Sequence, residues 1–262
     1  MNKKLVILFC FIISVFYILS VFYILPAKAS SVFNPNFIIS DEEMQDSSTM
    51  SKYDVQKFLD SKAGYLRNYK TTDIDGKAKT ASEIIYNAAQ TYQINPKYVL
   101  VTLQKEQSLI TSQSPTQKQL DWATGYAVCD SCSMDDPKIE KYKGFAKQVD
   151  NAAGIIRWYY ENTNHPVVKQ KNTPIVIDSQ TVTPQSWATA FLYTYTPHLH
   201  GNENFNSIWN DWFAQTFPNG TILKAVGKED YWLIQDGKRK KFKTLTALLT
   251  RTSPELAVIV PE

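Results

Sequence analysis

One carboxylate stands out by where it falls. In NPKYVLVTLQKEQSLI, Val99, Leu103 and Ile110 recur at helical spacing as a buried stripe. Glu106 lies on that stripe, while Lys105 beside it is expected to turn outward. A carboxylate so placed loses water, which disfavours its charged form and suits it to hand a proton to a leaving group such as a glycosidic oxygen. The competing reading is a buried Glu satisfied by a Lys, an Arg or a backbone donor, and from this helix alone that reading is the better one. Asp121 is the candidate for a second carboxylate that activates water across a cleft; otherwise it is a capping or surface residue. Trp122, Tyr126, Trp158, Trp187, Tyr193 and Tyr195 offer flat faces to sugar rings, although most aromatics of a helical domain are simply core. His198 and His200, in PHLHGN, have a spacing a metal accepts, but with His165 the only other histidine no metal site is expected. No Gly-rich phosphate loop and no Ser-His-Asp order is present, and no cofactor is expected.

The elements that must position these residues are mostly helical. Ser51 caps a segment carrying Val55, Phe58 and Leu59, and residues 80–93 place Ala81, Ile84, Ile85, Ala88, Ala89 and Tyr92 on one face. Three further helices open on a capping residue followed by proline, at Asn95-Pro96, Asp136-Pro137 and Thr183-Pro184, where the missing proline N–H costs nothing. The stretch after Pro137 carries Phe145, Val149, Ala152, Ala153, Ile156 and Tyr160 as a long stripe, and a Trp-rich helix closes the region at about 203–216. Residues 30–50 read as an extended lead-in, and 163–182 as a loop containing a strand-like PIVID.

The chain has 262 residues, 44% of them hydrophobic, which is enough for a real core and excludes a disordered tail. Its net charge of +3 resides in Lys3, Lys4 and Lys28; residues 30–262 balance 25 basic against 25 acidic side chains. That balance gives no reason to expect a nucleic-acid partner. The same lysines flank LVILFCFIISVFYILSVFYIL, in which SVFYIL occurs twice, followed by Pro-Ala-Lys-Ala-Ser. A basic start, an apolar run and small residues at 27 and 29 predict a signal peptide over 1–29, cleaved after Ala29, with an uncleaved anchor through residues 5–25 as the alternative. Either way the rest is exported, to the outside or the cell envelope. Cys129 and Cys132, in CDSC, then form an even pair in an oxidising compartment, and a small disulfide stapling a loop is expected.

The pattern changes at Phe217-Pro218-Asn219-Gly220. TILKAV, YWLIQ and KRKKFK read as short strands, with Asp236-Gly237 as a hairpin turn and LTALLTR as a short helix. Residues 219–251 hold eight basic and three acidic side chains. KRKK is either a solvated strand edge that lysines keep from aggregating or a contact for an anionic surface polymer. The expected division is therefore signal or anchor at 1–29, lead-in at 30–50, a helical domain at 51–217 and a small basic β module at 218–262, either partial or one unit of an array.

The order of a Pro-started helix ending in Glu106, a polar loop, a long helix, the aromatic helix ATAFLYTYTPHLHGN and a Trp-rich closing helix resembles the lysozyme-like superfamily, in its goose-type lysozyme and soluble lytic transglycosylase branch. ATGYAVCDSC and YKGFAKQVDNAA are also similar to a group of secreted cell-wall hydrolases or haemagglutinins. The resemblance implies a mainly α fold, a lysozyme-like helical domain followed by the small β-hairpin-rich module. It implies Glu106 as catalytic acid and Tyr193, in FLYTYTPH, as the tyrosine facing it, with Gln107, Ser108, Trp122, Tyr126 and Tyr195 as substrate-binding neighbours. Two departures stand beside it: Gln107 separates Glu106 from Ser108 where the family has Ser directly after the acid, and WATGYAVCD replaces its Gly-Leu-Met-Gln loop. The implied activity is cleavage of the β-1,4 bond between N-acetylmuramic acid and N-acetylglucosamine in peptidoglycan, or in a related β-linked amino-sugar polymer such as chitin. The rival is a non-catalytic surface-binding protein on the same fold. Glu106 locked in a salt bridge favours the rival; Glu106 in an open cleft opposite Tyr193 favours the enzyme.

Overall fold

A computed structural model describes residues 33–128, 136–214, 217, 220–225, 227–235 and 238–260. The expected signal or anchor, residues 1–29, and the expected Cys129–Cys132 disulfide both lie outside the described residues. By its contacts the chain divides into a unit spanning Val32–Ala214 and a second that holds Gln215–Glu262.

Local chemistry opens and closes the helices of the first unit. Helix α1 (Asp41–Gln45) is capped by the Ser40 hydroxyl, and α2 (Lys52–Lys62) by a reciprocal Ser51–Asp54 capping box. A 3₁₀ turn, Tyr65–Asn68, leads into a hairpin of β1 (Lys70–Thr72) and β2 (Ala78–Thr80). Thr80 and Glu83 then form the capping box of α3 (Ala81–Tyr92). Asn95 caps α4 (Pro96–Gln107), with Pro96 in its first turn. Three of these helices end on a residue in the left-handed region: Ala63 at φ 55°, Gln93 at 51° and Ser108 at 55°.

Helix α4 is the centre of the unit. Six consecutive residues, Tyr98 to Leu103, are buried, so it is enclosed on every face rather than along the single stripe expected. It packs against α3 and against α7 (Phe145–Glu161), which follow α5 (Gln117–Asp121) and the short α6 (Pro137–Glu140) in the chain. Each buried Val or Leu there contributes roughly 1.5–3 kcal/mol. Helices α3 and α7 approach closely at Gly154, where a Cβ would meet the Tyr92 ring at 3.1 Å.

A second hairpin, β3 (Ile175–Ile177) and β4 (Gln180–Val182), turns through Asp178 and Ser179, both at positive φ. The expected helix start at Thr183-Pro184 moves to Ser186, whose hydroxyl accepts from the Thr189 N–H and opens α8 (Trp187–Tyr195). Pro184 instead lies in the connection between β4 and α8, its carbonyl accepting from the Asn172 N–H. Helix α9 (Leu199–Phe213) packs its Phe205 ring 6.1 Å from Tyr98. The segment expected as an extended lead-in is stitched to α8: Ser186 donates to the Ile39 carbonyl, and Asp41 accepts from the N–H groups of Trp187 and Ala188.

The second unit is a four-stranded sheet ordered β7 (Lys238–Lys241), β6 (Tyr231–Gln235), β5 (Ile222–Ala225) and β8 (Val258–Val260). Helix α10 (Leu245–Leu249) lies between β7 and β8 in the chain, and β8 runs parallel to β5.

The expectation of a mainly α, lysozyme-like fold is corrected, while the expected N-terminal signal or anchor helix falls outside the described residues. Among the described residues ten helices stand with eight strands in three sheets, at 48% helix and 13% strand, so the architecture is mixed. Strands of three residues carry too little alternation to register against helical periodicity, which is why the β1–β2 hairpin escaped a pattern reading, while the strand-like PIVID does hold β3. No helix among the described residues is long and apolar enough to cross a membrane.

Gly64 is fixed by a close backbone approach. A Cβ there would lie 2.1 Å from the Ile110 carbonyl oxygen. Gly64→Ala is expected to destabilise the unit by about 1–3 kcal/mol, measured by urea unfolding, because a main-chain atom cannot step aside as a side chain would.

Candidate active site

Glu106 sits in the last turn of α4, just before Ser108 ends the helix. One carboxylate oxygen, Oε1, lies 2.6 Å from Lys105 Nζ; the side chains are 26% and 7% exposed respectively. Lys105 therefore folds inward, correcting the expectation that it faces solvent. Its ammonium also donates to Thr196 Oγ1 at 2.7 Å. The second oxygen, Oε2, faces Gly125, where an added Cβ would stand 3.2 Å from it. Gly125 has φ +68°, a conformation that favours glycine, and a Cβ there would press on the Glu106 carboxylate.

Two loops bring these groups together, and each is pinned by one buried amide. Gln148, on α7, is fully buried. Its Oε1 accepts from the N–H groups of Thr124 at 3.3 Å and Tyr126 at 3.1 Å, and its Nε2 donates to the carbonyls of Tyr126 and Tyr142. Asn202, on α9, donates to the carbonyls of Thr196 at 2.7 Å and His198 at 2.9 Å. A Cβ on Gly201 would lie 2.6 Å from Thr196 Cγ2, so this glycine gives Thr196 room to reach Lys105. Asp178, from the β3–β4 hairpin, accepts from the Leu199 N–H at the start of α9 and pairs with His198 at 3.1 Å. The Leu199 N–H and then His198 hold its carboxyl below the usual range.

Tyr195 is the tyrosine brought to this site. Its hydroxyl donates to the Thr124 carbonyl at 2.8 Å, in the loop that faces Glu106. Burial, reinforced by Tyr98 and by the Glu106 charge, pushes the Tyr195 phenol well above its usual range, so it remains a donor. Tyr98 is also buried and pushed up, and its hydroxyl has no hydrogen-bond partner among the described residues. Tyr193 is directed elsewhere: it is fully buried and its hydroxyl donates to the Pro35 carbonyl at 3.0 Å.

The remaining candidates are spread around the end of α4. Gln107 accepts at its carbonyl from Gln119 Nε2, and Ser108 is exposed. Trp122 is buried at the C-terminus of α5; Tyr126 is half-buried with its ring edge-on to Tyr142 at 5.1 Å, and burial raises its phenol. Asp121 accepts from Gln117 at 2.9 Å and lies 4.0 Å from Lys143; among the described residues nothing pairs it with Glu106. Sequence reasoning missed Lys105, Gly125, Gln148, Thr196 and Asn202. Only Gly125 left a trace, as the glycine of WATGYAV between two apolar stretches. Two hollows of about 370 and 380 Å³ lie elsewhere, one against α3 and α7, the other around Tyr65 and Tyr69.

A family model described as LasA, N-terminal domain, matches residues 37–223. The chain belongs to the LasA N-terminal domain family. LasA itself is a secreted staphylolytic peptidase of a lytic-enzyme family, so this membership rather than a lysozyme-like fold is what the comparison supports. No curated protein and no solved structure matches the chain. The LasA N-terminal domain match covers α4, both pinned loops and α9, so the Glu106 cluster lies within it.

Gln148→Leu keeps the shape but strands the Thr124 and Tyr126 N–H groups in the interior. It is expected to cost about 2–5 kcal/mol in chemical denaturation and to speed amide hydrogen exchange at Thr124 and Tyr126 before the rest of the core.

Proposed function

We propose that this member of the LasA N-terminal domain family is an exported, cell-wall-lytic glycosidase that cleaves the β-1,4 bond between N-acetylmuramic acid and N-acetylglucosamine. The observation that carries the reading is the split environment of Glu106: Oε1 is held by Lys105, and Oε2 is turned toward Gly125, where no side chain stands. In the proposed reaction Glu106 gives its proton to the glycosidic oxygen as the bond from that oxygen to C1 breaks. A hydroxyl of the same sugar then closes on C1, its proton returns to the Glu106 carboxylate, and an anhydro-sugar results. This route needs one carboxylate. Inverting hydrolysis needs a second, and Asp121 is engaged by Gln117 and faces Lys143, so we favour the transglycosylase outcome. Tyr195 is better disposed than Tyr193 to act beside Glu106, because Tyr193 spends its hydroxyl on Pro35. Family membership supports export and a peptidoglycan substrate, and leaves open which bond is cut.

The second reading, a non-catalytic surface-binding protein, draws on the same ion pair: of the two outcomes set for Glu106 the salt bridge is the one present, and Tyr193 does not face it. A Glu held 2.6 Å from a largely buried lysine is what a carboxylate retained for structure would look like. In that reading the β module supplies the contact with an anionic polymer: all four residues of β7 are exposed, and Arg239 and Lys241 flank the Trp232 ring at 5.1 and 5.9 Å.

Purified peptidoglycan incubated with the full-length chain is expected to release soluble muropeptides with anhydro ends, and Glu106→Gln is expected to lower release by at least about a hundredfold. Reducing ends would reassign the reaction to hydrolysis. No release by either protein, with binding to wall material retained, would establish the surface-binding reading.

A further inference from the structure

The hollow of about 380 Å³ around the 3₁₀ turn has a composition unlike the rest of the surface. Tyr65 and Tyr69 form its aromatic wall, with ring centroids 5.4 Å apart, and Tyr65 is 41% exposed. Arg67, Asn68, Lys70 and Gln113 supply its polar groups, and no acid lines it. Among the described residues no hydrogen bond or ion pair engages the Arg67 guanidinium or the Lys70 ammonium. Elsewhere in this unit several surface lysines have found partners: Lys52 pairs with Glu83, Lys79 with Asp73 and Asp75, Lys171 with Asp41.

The hollow is also held in a fixed relation to the end of α4. The Gly64 backbone packs directly on the Ile110 carbonyl, the Tyr65 N–H donates to the Ser112 carbonyl at 2.7 Å, and Gln113 Nε2 donates to the Ala63 carbonyl at 2.8 Å. Residues 108–113 thus run from the last turn of the Glu106 helix into the wall of the hollow. Aromatic faces suit the apolar side of a pyranose, amides suit its hydroxyl and acetamido groups, and a guanidinium suits a carboxylate.

We infer that this hollow is a binding site for a carboxylate-bearing amino sugar, with Tyr65 stacking on the ring and Arg67 and Lys70 holding the carboxylate. The inference rests on the peptidoglycan reading, because the lactyl ether of N-acetylmuramic acid bears a carboxylate that is free on glycan strands stripped of their stem peptides, and N-acetylglucosamine bears none. Selection between otherwise similar sugars then comes from the charged contact, since the ring contact is common to both.

The test is isothermal titration of the full-length Glu106→Gln chain with two probes, a tetrasaccharide alternating N-acetylmuramic acid and N-acetylglucosamine, and chitotetraose, which lacks carboxylates. The muramyl probe is expected to bind about tenfold tighter, a difference of the size a charge-assisted contact supplies. Adding Arg67→Ala and Lys70→Ala together should erase that preference and leave chitotetraose affinity in place, whereas adding Tyr65→Ala should weaken both probes. Equal affinities for the two probes, or a preference that survives the Arg67→Ala, Lys70→Ala pair, would overturn the inference. Equally tight, Arg67-dependent capture of the free stem peptide would overturn its sugar assignment. Peptidoglycan digestion by the chain with Glu106 intact separates the two levels: release without any muramyl preference defeats this inference alone. A preference in a chain that releases nothing defeats the enzyme reading alone.

Discussion

A loop without a strand ladder of its own must find partners for its backbone elsewhere, and here one buried amide provides them. Gln148 takes up two N–H groups and one carbonyl of the segment 124–126, and a second carbonyl at Tyr142. It is a single side chain on α7 doing for this loop what a neighbouring strand would do. Because its donors and acceptors are all used inside the protein, desolvating it is compensated; remove it and several main-chain groups are stranded at once. The position of Gly125 against Glu106 depends on this clamp.

The same device recurs on the other side of the site. Asn202 gathers the carbonyls of Thr196 and His198, and Gly201 leaves the space into which Thr196 fits. Thr196 in turn fixes Lys105, and Lys105 fixes one oxygen of Glu106. The carboxylate is thus positioned by a relay through α9, a loop and α4, with each contact close enough to be directional. Where the two loops meet α4, the protein has built asymmetry into one carboxylate: one oxygen is committed to a cation and the other faces a glycine. That asymmetry suits a proton-transfer site, which needs one oxygen held and the other within reach of a substrate.

The two units differ in how their charge is arranged. In the first, the Lys79 and Lys105 ammonium groups are tucked against carboxylates and the unit is knit by side-chain hydrogen bonds reaching across more than a hundred residues, as between Ser186 and Ile39. In the second, β7 presents four consecutive exposed cations at the sheet edge, of which Lys241 pairs with Asp230 at 2.6 Å, and lysine there also discourages pairing with another strand. Solubility and recognition ask for the same residues there, and the fold of the strand does not distinguish them.

Much of the helical frame was legible in the sequence because it is set by neighbours in the chain. Ser51 with Asp54, Thr80 with Glu83, and Asn95 with Pro96 announce α2, α3 and α4 through interactions spanning three residues or fewer. Glu106 too was marked by its own helix, as the polar residue on an apolar stripe. The sequence carried only part of the mixed architecture: the strands of the second unit and the strand-like PIVID were legible, but β1, β2 and β4 have three residues each and their pairing is what makes them strands. Nor did it decide the company Glu106 keeps. Lys105 was free to point to solvent until Thr196, ninety-one residues away, gave its ammonium an inward partner. Tyr193 and Tyr195, two residues apart, point to nearly opposite faces of α8, and only the packing of that helix decides that the first meets Pro35 and the second Thr124. Periodicity fixes which side of a helix is buried, but the partner met on that side belongs to a distant part of the chain, and for the residues around Glu106 that partner is what determines their role.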